Sequence, residues 1–217
     1  MLSNDQRVKI AKRVAEELKN GEVINLGVGI PTLIPDYLSD KKVYLHSENG
    51  LLGMGPTPPE NEQDMDLISA SKKPITMEKG ASLFDSSNSF VMIRGGHVDT
   101  AVLGALQVDE TGEIANWAIP GKTILGVGGA MDLVAGAKQI IIASSHLSKN
   151  DEPKLVKELT FPRSGVRKAD MLVTEHAVFK FQNNQCELIE ILSDISLEEL
   201  KEITDANFIY NEKITQK

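Results

Sequence analysis

Cysteine is almost absent. Of 217 residues only Cys186 carries a thiol, so no internal disulfide can form, and with no CxxC pair or His-Cys cluster nearby it suggests no zinc site. It reads as a strand residue, with nothing around it to mark an activated thiolate. Basic runs are missing too. The 23 Lys and Arg are outnumbered by 31 Asp and Glu, a net charge of −8, whereas a nucleic-acid surface draws its strength from clustered cations. No stretch approaches the ~18 consecutive apolar residues of a membrane span, and the N-terminus has no apolar signal core. The expectation is a cytoplasmic protein with no nucleic-acid partner and no membrane partner. Histidine is sparse: His46, His97, His146 and His176 are scattered, none in an HExxH or i, i+4 arrangement, so each reads as structural and no metal site is expected. No serine lies in a GxSxG elbow, which leaves an α/β-hydrolase triad unsupported. Trp117, the lone tryptophan, reads as core packing.

What is present is ordinary for a soluble chain. Hydrophobic residues make 41% and charged residues 25%, and the length suits one domain spanning residues 1–217, with no linker and no repeat of fixed period. Ser3 and Gln6 have capping-box spacing, and Ile10, Ala11, Val14, Ala15 and Leu18 form one apolar stripe, predicting a helix of about sixteen residues that stops near Gly21. Val23–Val28 reads as a buried strand, and Pro31-Thr32-Leu33 opens a short helix. Val43–His46 alternates as a strand; Gly53–Pro59 and the acidic Glu60–Asp66 read as a surface loop. Phe84–Ile93 is a predicted helix capped by Asp85 or Ser86, followed by a strand over Thr100–Val108 and a tight turn at Asp109-Glu110-Thr111-Gly112 into Glu113–Trp117. Ala130–Ala137 reads as a helix and Gln139–Ala143 as a core strand. Ala177–Phe181 and Glu187–Leu192 flank Asn183-Asn184, a hairpin signal, and a second capping box at Ser196 opens a final helix to about Thr204. Alternating strands and helices predict an α/β fold with a mostly parallel central sheet flanked by helices.

Chemistry concentrates where glycines do. Ser47-Glu48-Asn49-Gly50 places a carboxylate at the end of a strand and before a glycine turn, held by the sheet yet exposed at its rim, where α/β sites gather. Taken alone, such a glutamate reads as a solvated turn residue. Three further runs accompany it: Gly27-Val28-Gly29-Ile30-Pro31-Thr32, Arg94-Gly95-Gly96-His97-Val98-Asp99, and Gly126-Val127-Gly128-Gly129-Ala130-Met131-Asp132-Leu133-Val134. The first begins like a dinucleotide fingerprint but has Thr32 where the third glycine belongs. A rival, Asn116–Thr123, approaches a Walker A loop, but Asn116 replaces the glycine that lets backbone wrap a phosphate, and Ile124-Leu125-Gly126 does not start the required helix.

Together these runs resemble the B (beta) subunit of class I coenzyme A transferases of the 3-oxoacid type, close to the butyrate–acetoacetate and succinyl–3-oxoacid enzymes. The resemblance runs from about Val14 to about Ile191 and is densest over Asn25–Lys138. It implies the CoA-transferase (NagB-like) fold and a reversible ping-pong transfer of coenzyme A between carboxylic acids, acetoacetate being the typical acceptor. Glu48 would be the covalent nucleophile, passing through a mixed anhydride to a glutamyl-CoA thioester. Backbone amides at Val28, Gly29, Gly128 and Gly129 would bind oxyanions or substrate, with Asn49 beside them, and Gly50 would let a flat acyl group lie near Glu48. No cofactor is implied, because coenzyme A is itself the group carried.

The resemblance also implies a partner. The family pairs this half with a homologous A half bearing a GGFG loop for coenzyme A, which this chain lacks; two A and two B chains are expected, with the site at their boundary. Phe161-Pro162-Arg163-Ser164-Gly165 departs from the Leu-Pro-Leu-Thr-Gly-like run of relatives. The competing reading is a non-catalytic α/β binding or scaffold subunit, with Glu48 an ordinary turn residue.

Overall fold

The computed structural model describes residues 2–122, 124, 126 and 128–216. Ser3 caps the first helix, α1 (Asn4–Glu17): its hydroxyl accepts from the Gln6 amide and the Gln6 side chain accepts from the Ser3 amide. The chain then turns at Gly21 (φ 84) into β1 (Val23–Leu26). The short helix that follows, Ile30–Tyr37, is a 3-10 helix; Pro31 and Pro35 lack the amide hydrogens that would sustain an α-helix there. β2 (Tyr44–Ser47) and β3 (Leu51–Met54) flank the Glu48 turn, and β4 (Met77–Leu83) was not apparent from the sequence.

Asp85 caps α2 (Ser86–Arg94), accepting from the Asn88 amide. The expected strand over Thr100–Val108 divides at Gly104: β5 (Thr100–Leu103) stays in the main sheet, while β6 (Gln107–Asp109) leaves it to pair with β7 (Ile114–Ala115). A glycine inside a strand contributes no packing and eases such a break. After α3 (Ala130–Gly136) come β8 (Gln139–Ala143), β9 (Leu155–Val156) and β10 (Met171–Val173). β11 (Ala177–Gln182) and β12 (Gln185–Ile191) form the predicted hairpin, with Asn183 and Asn184 at φ 53 and 60, the left-handed pair a tight two-residue hairpin requires. The capping box at Ser196 opens α4 (Leu197–Glu202), and an unforeseen strand, β13 (Ile209–Gln216), closes one edge.

The main sheet runs β13-β12-β11-β10-β8-β5-β1-β2-β3-β4, and β6 sits between β7 and β9 in a smaller one. The five central strands, β10, β8, β5, β1 and β2, are parallel. Both faces are covered. Ile10, Val14 and Leu18 pack with Ile24, Leu45, Ile141 and Val173 on one side, while Ile93, Leu133 and Leu200 pack with Ala101, Ile140 and Leu172 on the other. Burial on two sides is why Gln139-Ile140-Ile141-Ile142-Ala143 reads as a continuous apolar run. From β1 the chain moves outward to β2, then returns to β5 on the opposite flank of β1. That reversal opens a crevice at the carboxyl ends of β1 and β5, the position where open α/β sheets bind ligands.

Candidate active site

Asn25 and His46 face one another in the parallel register of β1 and β2. Alternation along each strand sends Ile24 and Leu45 to the α1 side and so turns Asn25 and His46 toward α2. Both are buried, at 1% and 2% exposure. Glu48 follows His46 by two residues, in the turn that leaves β2, and is half-buried.

Its turn is tied on several sides. Ser47 Oγ accepts from the Ala70 amide at 2.9 Å, and Asn49 Nδ2 donates to the Ile68 carbonyl at 2.7 Å. The Phe84 amide donates to the Gly50 carbonyl at 2.9 Å. Gly50 has φ 121, and a Cβ there would lie 1.9 Å from the Phe84 carbonyl oxygen. Glycine at this position has a structural reason of its own: the space a side chain would take is filled by the Phe84 backbone. Likewise the Asn49 amide is directed to the Ile68 carbonyl rather than toward the carboxylate.

The carboxylate meets two groups from other elements. Asn25 Nδ2 donates to Glu48 Oε2 at 3.1 Å. Gly129, at the start of α3, is so near that a Cβ on it would lie 3.4 Å from Glu48 Cγ and 3.6 Å from Oε1. Gly128 (φ 54) and Gly29 (φ 98) border open space, and Val28, after β1, is exposed. Val127, within the same glycine run, lies outside the described residues. Behind Asn25, the His46 ring contacts Ser89 Oγ through Nε2 at 3.0 Å and stacks on Phe84 at 6.3 Å. Burial lowers the His46 pKa; the nearby Glu48 charge opposes that shift.

The sequence did not single out Asn25 or Ser89. The available signal was a polar residue within the apolar strand Val23-Ile24-Asn25-Leu26, a local inconsistency of the kind functional sites carry.

Elsewhere the titratable groups have structural partners. His146 and His176, read from the sequence as structural, meet edge to face with their rings 5.8 Å apart. His146 is buried between Thr174 Oγ1 (3.2 Å) and Thr204 Oγ1 (2.9 Å), and burial pushes its pKa down to about 3. Burial in β12 pushes the Cys186 thiol up to about 12. Trp117 is only half-buried and donates to the Arg163 carbonyl at 3.3 Å, which corrects its reading as core. In the Walker-like stretch Asn116 is bound to Ser164, and the next helix begins only at Ala130; Thr123 lies outside the described residues. The departing run Phe161–Gly165 thus braces that stretch, with Arg163 also paired to Glu113 at 2.6 Å. A cavity lined by Lys19, Asp170 and Lys180 lies at the amino ends of β8 and β10, opposite the end that carries Glu48. Among the described residues no helix is long and apolar enough to cross a membrane.

A two-sided parallel sheet with a carboxylate beside its switch point defines an α/β architecture with a candidate site where such sheets bind ligands. The coenzyme A transferase family profile matches residues 7–202. The B subunit of succinyl-CoA:3-ketoacid coenzyme A transferase from Helicobacter pylori is 49% identical over 202 residues, covering 93% of this chain and 98% of the relative. The B subunit of 3-oxoadipate CoA-transferase from Pseudomonas putida is 45% identical over 204 residues, covering 94% of this chain and 96% of the relative. An acyl-CoA transferase from Escherichia coli O157:H7 superposes with a TM-score of 0.79 at 23% identity, over 100% of this chain and 44% of that one. The chain belongs to the coenzyme A transferase family, as a B-type (beta) chain of its 3-oxoacid class.

Proposed function

We propose that this chain is the catalytic beta chain of an enzyme that moves coenzyme A between an acyl-CoA and a 3-oxoacid such as acetoacetate, with Glu48 as covalent nucleophile. Oε1, beside Gly129, attacks the acyl carbonyl and coenzyme A leaves as its thiolate, giving a mixed anhydride. The thiolate then adds to Glu48 Cδ; the acid departs as carboxylate with the bridging oxygen, and a glutamyl-CoA thioester remains. The incoming acid reverses these steps. During thiolate addition the retained oxygen, Oε2, becomes an oxyanion, and the Asn25 amide is the donor at that atom. Gly128 and Gly129, with Val28 and Gly29 across the crevice, supply amides unobstructed by bulky groups for the oxyanion on the acyl side. Metal and redox cofactors have no step to perform.

The relatives' designation as B subunits supports assembly with an A-type chain; in the proposed enzyme residues 1–217 act as a single B-type domain, two of each chain assemble, and the complex works in the cytoplasm. The carrying observation is the contact from buried Asn25 to Glu48 at 3.1 Å. A scaffold with an ordinary turn glutamate has no need of a buried amide aimed at it.

Glu48→Gln in the complex with the A-type partner tests this reading: transfer from succinyl-CoA to acetoacetate is expected to fall by orders of magnitude with the fold intact. Near-normal turnover, with amide hydrolysis excluded by mass, restores the scaffold alternative.

A further inference from the structure

Three polar residues lie in line behind the carboxylate within an otherwise apolar interior: Asn25 (1% exposed), His46 (2%) and Ser89 (0%). Polar groups buried this deeply cost stability unless hydrogen-bonded, so their partners matter. Asn25 Nδ2 donates to the His46 carbonyl at 3.2 Å and to Glu48 Oε2 at 3.1 Å, and lies 3.2 Å from His46 Nδ1. Its Oδ1 is buried with no hydrogen-bond partner among the described residues. Nothing on the Oδ1 side therefore fixes the amide, whose two ends are nearly equal in shape; its orientation is decided on the Nδ2 side alone.

We propose that His46 is a positioning residue for Glu48: the imidazole, held by Ser89, accepts at Nδ1 from Asn25 and thereby keeps the Asn25 amide turned with its donor toward the carboxylate. The inference rests on Glu48 being the nucleophile. His46 Nδ1 can accept only when its hydrogen is on Nε2, and Ser89 Oγ, 3.0 Å from Nε2, is placed to accept that hydrogen. Were Nδ1 protonated, its N–H would face the amide NH2. The amide would then relieve its orphaned oxygen by turning Oδ1 to the ring, and the group withdrawn from Glu48 would be the oxyanion donor. In this arrangement Ser89 on α2 gives the Nε2 hydrogen an acceptor, the free Nδ1 lone pair holds the amide, and the amide orientation decides whether Glu48 faces a donor. The Phe84 ring stacked on His46, with an interplanar angle of 17°, holds the plane in which this operates. The ordinary alternative is a histidine that merely fills the core.

The complex with the A-type partner, labelled with 15N in histidine, should show His46 neutral with its hydrogen on Nε2 at pH 7. His46→Leu removes the acceptor at similar bulk and should lower kcat about tenfold with KM for succinyl-CoA unchanged, the effect of one lost hydrogen bond. His46→Gln restores a side-chain carbonyl acceptor and should return kcat to within about threefold of wild type. Ser89→Ala keeps the ring but frees its tautomer, and should expose a population protonated at Nδ1 together with a kcat loss of severalfold. The proposal is overturned by a ring hydrogen on Nδ1 in the wild type, by wild-type kcat in His46→Leu, or by His46→Gln as impaired as His46→Leu. If His46→Leu does not fold, an unchanged tautomer and rate in Ser89→Ala overturn it. Full turnover in Glu48→Gln refutes the nucleophile instead, and the ring signal still reports on His46 independently.

Discussion

Replacing Asn25 with alanine is expected to cripple the chemistry while leaving the fold nearly as stable as before. The change deletes the donor to the His46 carbonyl at 3.2 Å and to Glu48 Oε2 at 3.1 Å, and the partner of His46 Nδ1 at 3.2 Å. It also deletes Oδ1, which is buried without a partner among the described residues. A typical hydrogen bond is worth ~1 kcal/mol net and an unsatisfied buried polar atom costs about 1–3 kcal/mol, so the two terms oppose one another and the net stability change should stay within ~2 kcal/mol. The transition state has no such compensation. Losing one preorganised oxyanion donor costs roughly 10²–10³-fold in kcat, or about 2.7–4 kcal/mol. Thermal melts and initial rates of the complex, measured on one preparation, separate these quantities. A kcat within about threefold of wild type would refute the oxyanion role; so would an unfolding penalty large enough to account for the whole loss of rate.

Gly129→Ala has an unstrained backbone (φ −79) and a methyl 3.4 Å from Glu48 Cγ, so kcat should fall about tenfold with melting unchanged; equal losses in both would mean the glycine serves only the turn. Gly50→Ala sets a Cβ 1.9 Å from the Phe84 carbonyl at φ 121 and should cost more than ~3 kcal/mol by urea denaturation. His146 has its pKa lowered from 6.5 to about 3 by burial. Below pH 6.5 the unfolded chain binds a proton that the folded chain refuses, so stability falls as pH drops through that window, by ~1.4 kcal/mol per unit from this residue. Because the unfolded imidazole is half-protonated at its own pKa, wild type should lose ~1 kcal/mol more than His146→Gln between about pH 6.5 and 5.5 in denaturation; equal losses would contradict the burial argument.

Local rules made much of this fold legible. The capping boxes at Ser3 and Ser196, the cap at Asp85 and the Asn183-Asn184 turn depend on groups within a few residues of one another, and each lies where its spacing predicts. β4 escaped notice because its residues are mostly exposed and carry little alternation, and β13 because an edge strand beside β12 needs no continuous apolar pattern. The break in β5–β6 follows from where Val108 pairs, opposite Ile114 and Leu155, which no local rule reveals. At the site, the turn that holds Glu48 was legible because a strand end and a glycine are local features, while the role expected of its carboxylate came from the family resemblance. Asn25 and Ser89, which the sequence did not single out, reach the site from β1 and α2, and such contacts depend on strand order and register. The close approach at Gly50 was hidden for the same reason: the chain that comes near it, at Phe84, is 34 residues away.

The most direct measurement is to trap the intermediate. The complex with the A-type partner, incubated with succinyl-CoA and no acceptor acid, should gain one coenzyme A on this chain, located by peptide mass mapping at Glu48; borohydride should then reduce the activated carbonyl there. Cys186, buried and with its thiol pushed up to about 12, should carry none. An adduct on Cys186 or on the partner chain with Glu48 unmodified, under conditions that support turnover, would contradict the assignment of the nucleophile, and the absence of any adduct would contradict covalent catalysis by this chain.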